Sequence, residues 1–346
     1  MPWIAEVNPL DDQFHARNDD PYWNESHLTT FRVPEANLMG TLYYYFRPNM
    51  NLCVGGPVIW NGDGEDAYNC LYYAWDQCMA IPEGSNMNEF VMPNGLSVST
   101  IDLQKQYRMR FDAEDCQIDL TYTALMEPHY MQMEGENINP GIVDWMTSVG
   151  PELSLGHYEQ AGMMTGTVTV RGTTYEVDHS SLRDHTWGPR KIITNMNGRL
   201  RGAWPFAVAS KDSNFQAYAM CELPLQDDPI IGTTERITSG WYTKDGVKGT
   251  LVSGTRRCIE RGEDGRPLRD VIEATDHLGR ELHAVGTYQN WMKFPCYSDC
   301  MPWWGLTEWE YDGQTVYGED MDYIYAKHNR KLWEAVGGRQ LASASS

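Results

Sequence analysis

The stretch YRMRFDAEDCQIDLTYTALM, Tyr107 to Met126, decides how the chain is read. Tyr107, Met109 and Phe111 alternate with Arg108 and Arg110. After the polar turn Asp112-Ala113-Glu114-Asp115, Ile118, Leu120, Tyr122, Ala124 and Met126 alternate with Gln117, Asp119, Thr121 and Thr123. A period of two puts apolar side chains on one face and polar ones on the other, so the stretch predicts an antiparallel hairpin with one buried face. The habit recurs along the chain. Thr165–Val170 and Thr173–Val177 flank Arg171-Gly172, where glycine supplies a positive φ. Val271–Thr275 and Glu281–Val285 flank Asp276–Arg280, and Glu308–Tyr311 and Thr315–Glu319 flank Asp312-Gly313-Gln314. Turns at such short intervals predict an all-β chain of sandwiches or barrels rather than βαβ units.

Helical readings are few. One short helix is expected near Ile142 to Ser148, inside an irregular insertion from 127 to 153, and a terminal helix over Asp322 to Val336. The small, polar segment Gly337 to Ser346 reads as a disordered tail. At 346 residues the chain is too long for one ordinary core, so two domains are expected, 1–190 and 191–346.

Composition narrows the function. Apolar residues at 41% and charged residues at 22% suit a globular protein. There are 13 Trp and 20 Tyr against 8 Phe, with 18 Met. Trp and Tyr join an apolar face to a polar tip and suit a half-wet cavity for a bulky organic ligand, though a two-sheet core with a wet rim would use them too. The net charge of −21 repels phosphate backbones and anionic membranes, which argues against nucleic-acid binding and against membrane association. No apolar run is long enough to span a bilayer, so no membrane insertion is expected. The eight cysteines are scattered without a CxxC pair, which predicts free thiols rather than a zinc knuckle. The segment MPWIAEVNPLDDQF does not read as a signal peptide, and a cytoplasmic location is expected. Neither a GxGxxG, a P-loop nor a GxSxG stands in its required context, so no cofactor is expected.

Chemistry concentrates in Asp178-His179-Ser180-Ser181-Leu182-Arg183-Asp184-His185-Thr186-Trp187-Gly188-Pro189-Arg190. If the segment is extended, Arg183, His185 and Trp187 share one face, and Asp184 and Thr186 the other. His185 beside Trp187 places a titratable group against an aromatic wall, as general acid–base work on a held substrate requires. The same segment also reads as a structural lock, with Asp184 paired to Arg183 or Arg190. A third reading uses Asp178, His179, Asp184 and His185 as metal ligands, although their spacing matches no common metal motif.

Together with Tyr158-Glu159-Gln160-Ala161-Gly162 through Gly166, the run Arg183-Asp184-His185-Thr186-Trp187-Gly188-Pro189-Arg190 resembles the tandem lipocalin-like family of AttH-type and carotenoid 1,2-hydratase-type proteins. Trp23-Asn24-Glu25-Ser26 and Tyr317-Gly318-Glu319 add weaker markers near the two ends. The resemblance implies two lipocalin-like antiparallel β-barrels packed side by side, joined near residue 190. It also implies proton-transfer chemistry on carbon–carbon double bonds without a redox cofactor, with His185 and Trp187 matching an H-x-W pair of the hydratases. The Y-x-D acid of those enzymes has no counterpart between Phe215 and Glu222; Tyr297-Ser298-Asp299 stands much further along.

The resulting expectation is a lyase or isomerase acting on a hydrophobic aromatic or terpenoid-like small molecule. His185 is the expected general acid or base, with Asp184 as proton donor or as the group that orients it. Arg183, Trp187, Trp204, Tyr218, Trp303, Trp304 and Tyr317 are candidate substrate-binding residues, the indoles able to stabilise a developing cation. Trp303 and Trp304 also read as an exposed patch that seats a partner subunit in a homo-oligomer. The alternatives are a non-catalytic carrier of an apolar ligand and a metal-assisted hydrolase.

Overall fold

In the computed structural model the described residues are 8–131, 156–190, 200–222, 234–295 and 301–324. They contain no helix of seven residues or more, only short 3-10 turns. The predicted helix at Ile142–Ser148, the tail after Gly337, Tyr297–Asp299 and most of the insertion lie outside them. Of the terminal helix expected over Asp322 to Val336, the first three residues continue a strand instead, Asp322 staying paired in register with Ala203 and Trp303, and the rest lies outside the described residues.

The chain divides into two compact units, one from residues 8–131 and 156–190 and the other from the described residues after 200. The first holds β1 (Trp23–Val33), β2 (Leu38–Arg47), β3 (Leu52–Trp60), β4 (Tyr72–Tyr73), β5 (Asp76–Ala80), β6 (Phe90–Val91), β7 (Ser97–Asp102), β8 (Gln106–Ala113), β9 (Cys116–Ala124), β10 (His129–Tyr130), β11 (Gly156–Val170) and β12 (Thr173–Pro189). The second holds β13 (Leu200–Ala203), β14 (Phe206–Ser210), β15 (Ser213–Glu222), β16 (Thr234–Lys244), β17 (Val247–Arg261), β18 (Pro267–Asp276), β19 (Glu281–Tyr288), β20 (Met292–Lys293), β21 (Trp303–Tyr311) and β22 (Gln314–Ile324).

The first unit is one antiparallel sheet in the order β4-β3-β2-β1-β12-β11-β9-β8-β7-β6, with β5 on β3 and β10 on β11. Its curl brings distant strands together through side chains. Phe90 of β6 packs edge-on to Tyr44 and Phe46 of β2, at 4.7 and 5.3 Å, and Tyr72 of β4 lies 5.7 Å from Phe111 of β8. Each of the fully buried members, Tyr44, Phe46, Phe90 and Phe111, contributes about 1.5–3 kcal/mol. The hairpin of the opening stretch is β8–β9, with burial alternating along both strands. The long β11–β12 hairpin turns at Arg171 and Gly172, φ 50° and 80°, the pair of positive angles a two-residue turn needs.

The second unit closes. Strands β14, β15, β16, β17, β18, β19, β21 and β22 form an eight-stranded antiparallel barrel, since β22 pairs with both β21 and β14. Inside it the fully buried Arg256 meets Glu235 (3.0 Å), Asp270 (2.6 Å), Asp320 (3.3 Å) and Asp322 (3.1 Å), tying β16, β17, β18 and β22 together. A buried ion cluster of this kind adds little net stability, although removing one partner is costly.

Candidate active site

Strand β1 is buried along nearly its whole length, on both faces. Its sequence WNESHLTTFRV therefore places polar groups inside the unit on each side of the sheet. On one face Glu25, His27 and Thr29 of β1 stand opposite Trp187, His185 and Arg183 of β12, and β11 sets Gly156, Tyr158 and Gln160 against the same three. Gly156 is needed at its place: a Cβ there would lie 2.0 Å from the Trp187 ring.

Two groups with different character share this face. The deeper one is built on Asp12, delivered by the 3-10 turn Pro9–Asp12 and 1% exposed. Its carboxylate accepts from Arg183, from the hydroxyls of Tyr107 and Tyr158, and from the backbone N–H of Gln104 (3.0 Å). Arg183 also donates to Gln160 Oε1 (2.6 Å) and from Nε to His27 Nε2 (3.0 Å). His27 Nδ1 therefore carries the hydrogen and meets the Tyr44 hydroxyl, which donates to Asn88 (2.9 Å). Burial, then Arg183, holds His27 well below the ordinary histidine range. Burial likewise keeps Tyr158 and Tyr44 as neutral phenols. Donors and acceptors here answer one another, as a locked core network requires.

The second group lies around His185. Its imidazole is fully buried, and neither ring nitrogen has a hydrogen-bond partner among the described residues. Burial, followed by electrostatic repulsion from the neighbouring imidazoles and the Arg183 guanidinium, pushes its pKa well below the ordinary range, so the ring is neutral. Nε2 stands 3.6 Å from Oε2 of the buried Glu25. His15, from the segment ahead of β1, lies parallel over Trp187 with ring centroids 3.9 Å apart, and its Nδ1 is 3.1 Å from the same Oε2. Tyr158 and Trp187 flank His185 at 5.4 and 5.2 Å.

Of the residues expected from sequence, Arg183, His185 and Trp187 come together on this face. Asp184 does not join them. It lies on the opposite face of β12, where its Oδ2 is 2.7 Å from His157 Nε2, with Glu159 Oε1 3.2 Å away from the same nitrogen. Burial opposes charging His157, but Asp184 and Glu159 outweigh it and push its pKa up to about 9. Since that folded value exceeds the ordinary one near 6.5, the stability it contributes is full below about pH 6.5 and lost as pH rises through 9. Asp184→Asn is expected to bring the His157 titration, followed by ring-proton NMR, down by more than one unit. An unmoved titration would show that Asp184 does not set it.

Asp184 thus pairs with His157 rather than with Arg183 or Arg190 as the structural-lock reading had it. The metal reading through His179 and His185 fails on distance, since six residues of extended strand separate them by about 20 Å. Trp204, Tyr218, Trp303, Trp304 and Tyr317 belong to the second unit. Trp204 packs T-shaped on Tyr218 at 5.3 Å, Trp303 and Trp304 are buried rather than an exposed patch, and Tyr317 is half-buried on β22. Sequence reasoning missed Asp12, His15, His27 and the role of Glu25; only the Trp23-Asn24-Glu25-Ser26 marker pointed that way. Among the described residues, no helix is long and apolar enough to cross a membrane, and Cys53, Cys70, Cys78, Cys116 and Cys258 are free thiols.

Solved structures share this fold. An AttH-like protein of Nitrosomonas europaea superposes with a TM-score of 0.59 at 15% identity, over 94% of this chain and 98% of its own. Kievitone hydratase from Nectria haematococca gives 0.50 at 13% identity, over 92% and 93%. CghA gives 0.53 at 10% identity, over 88% and 89%. No curated protein matches the sequence. Residues 8–319 match the family described as a domain of unknown function, DUF7064, and the chain belongs to that family.

Proposed function

We propose that the chain is a lyase or isomerase that moves a proton on a hydrophobic, aromatic or terpenoid-like small molecule, with the transfer taking place at His185. The observation that carries this reading is His185 itself: a neutral, fully buried imidazole whose nitrogens have no hydrogen-bond partner among the described residues, beside the Glu25 carboxylate and the Trp187 face. A core histidine kept for structure ordinarily has its nitrogens answered, as His27 does. Glu25 can orient the ring and stabilise an imidazolium formed when His185 takes a proton. Trp187, half-buried and covered by His15 on one face, is the aromatic group that could stabilise a developing cation. That one protein of the same fold is a hydratase supports the class of reaction.

The test is a panel of aromatic and terpenoid alkenes and alcohols incubated with the purified chain and followed by mass spectrometry. Gain or loss of one water, or an isomer of unchanged mass, is the expected result. Tight retention of panel compounds without conversion would replace this reading with that of a carrier.

A further inference from the structure

The His185 group contains more than a base and its carboxylate. His15 reaches it from outside the sheet, Glu25 from β1 and His185 from β12, and one ligand atom of each lies within 4.8 Å of the others. Around a tetrahedral or octahedral ion with metal–nitrogen and metal–oxygen bonds near 2.1 Å, neighbouring ligand atoms stand about 3.0–3.5 Å apart. His15 Nδ1 and His185 Nε2 are 3.1 and 3.6 Å from Glu25 Oε2, close to the edges of such a polyhedron.

The surroundings are arranged as a metal's outer ligands are. Glu25 Oε1 accepts from Trp23 Nε1 (3.1 Å) and from the His15 backbone N–H (2.9 Å), which fixes the carboxylate with Oε2 turned toward both imidazoles. The far nitrogen of His15, Nε2, lies 3.4 Å from Asp11 Oδ1, the carboxylate–histidine arrangement that orients a ligating imidazole and raises its basicity. Asp11 is held in turn by Asn8 Nδ2 at 3.0 Å. None of this is needed for a simple aromatic wall.

We propose that His15 Nδ1, Glu25 Oε2 and His185 Nε2 form a binding site for a divalent first-row transition ion such as zinc. Two imidazoles and one carboxylate suit such an ion better than magnesium or calcium, which prefer all-oxygen sets. Three protein ligands leave at least one coordination position open, the pattern of catalytic rather than structural sites. His15, whose side chain is 16% exposed, and the half-buried Trp187 are the least buried members of the group. The inference rests on the proton-transfer reading of this site and changes one role in it: with an ion bound, His185 would serve as ligand rather than base, and the ion would supply an acidified water as the proton-transfer group.

Chelator-stripped full-length chain, dialysed against zinc and against cobalt(II), reports the site without any substrate. One ion per chain is expected, with cobalt(II) giving the visible absorption of a nitrogen-containing low-coordinate site. His15→Ala and Glu25→Gln should abolish stoichiometric binding, and Asp11→Asn should weaken it about 10–100-fold. His15 lies off the sheet, so its variant reports on the site even where Glu25→Gln disturbs β1. Binding no greater than to an unrelated protein, or stoichiometric binding that survives both His15→Ala and Glu25→Gln in folded chains, would overturn the proposal. Either failure leaves proton transfer by metal-free His185 standing, and an inactive substrate panel leaves the ion count unchanged.

Discussion

Arg183→Ala is expected to destabilise the first unit by about 3–5 kcal/mol, because it strands a buried charge rather than merely losing a contact. Asp12 is 1% exposed and would be left facing two phenols with no cation beside it, while Gln160 Oε1 and His27 Nε2 would lose their donors. The desolvation cost of these orphaned groups, on the order of 1 kcal/mol or more for each, is part of that loss. Arg183→Lys keeps the charge but not the planar fork that reaches Asp12, Gln160 and His27 together, so it should recover only part of the loss. Chemical denaturation of the wild type and both variants measures this directly. Arg183 was expected from sequence to bind substrate. If the alanine variant melted like the wild type while losing affinity for a ligand, the guanidinium would be a recognition group after all, and the locked-network account would fall.

How much of this was legible follows from burial. Strands with one face in solvent announce themselves by alternation, and β8, β9, β18 and β19 do so. Strand β1 is buried on both faces, so its polar residues fall on both and WNESHLTTFRV shows no period of two. The same burial hides its chemistry. Glu25 and His27 look like surface residues in the sequence, and only the register against β12 shows that they face His185 and Arg183. The alternation of Arg183, His185 and Trp187 against Asp184 needed only the assumption of an extended chain. Which face held the site depended on Asp12 and His15, some 170 residues away in sequence, and no local pattern carries that information. Nor does sequence tell a ring closed by hydrogen bonds from a sheet that curls on its side chains, since the hairpins are the same.

His185→Ala is expected to lower turnover by about 10²–10⁴-fold while leaving the fold intact. The contrast with Arg183 is physical. No hydrogen-bond partner among the described residues depends on the His185 ring, so removing it orphans no donor or acceptor and costs about 0.5–3 kcal/mol, as an ordinary core truncation does. Since burial keeps the wild-type ring neutral, activity that uses it as a base should be level through neutrality and fall only below the ordinary histidine range. His15→Ala then divides the two uses of His185. If the ring works alone, losing His15 removes a stacking partner of Trp187 and turnover changes little. If the ring is a ligand, His15→Ala lowers turnover nearly as far as His185→Ala, and added zinc in excess restores part of it. Full activity of folded His185→Ala on a true substrate would exclude both uses and move the chemistry away from this face of β12.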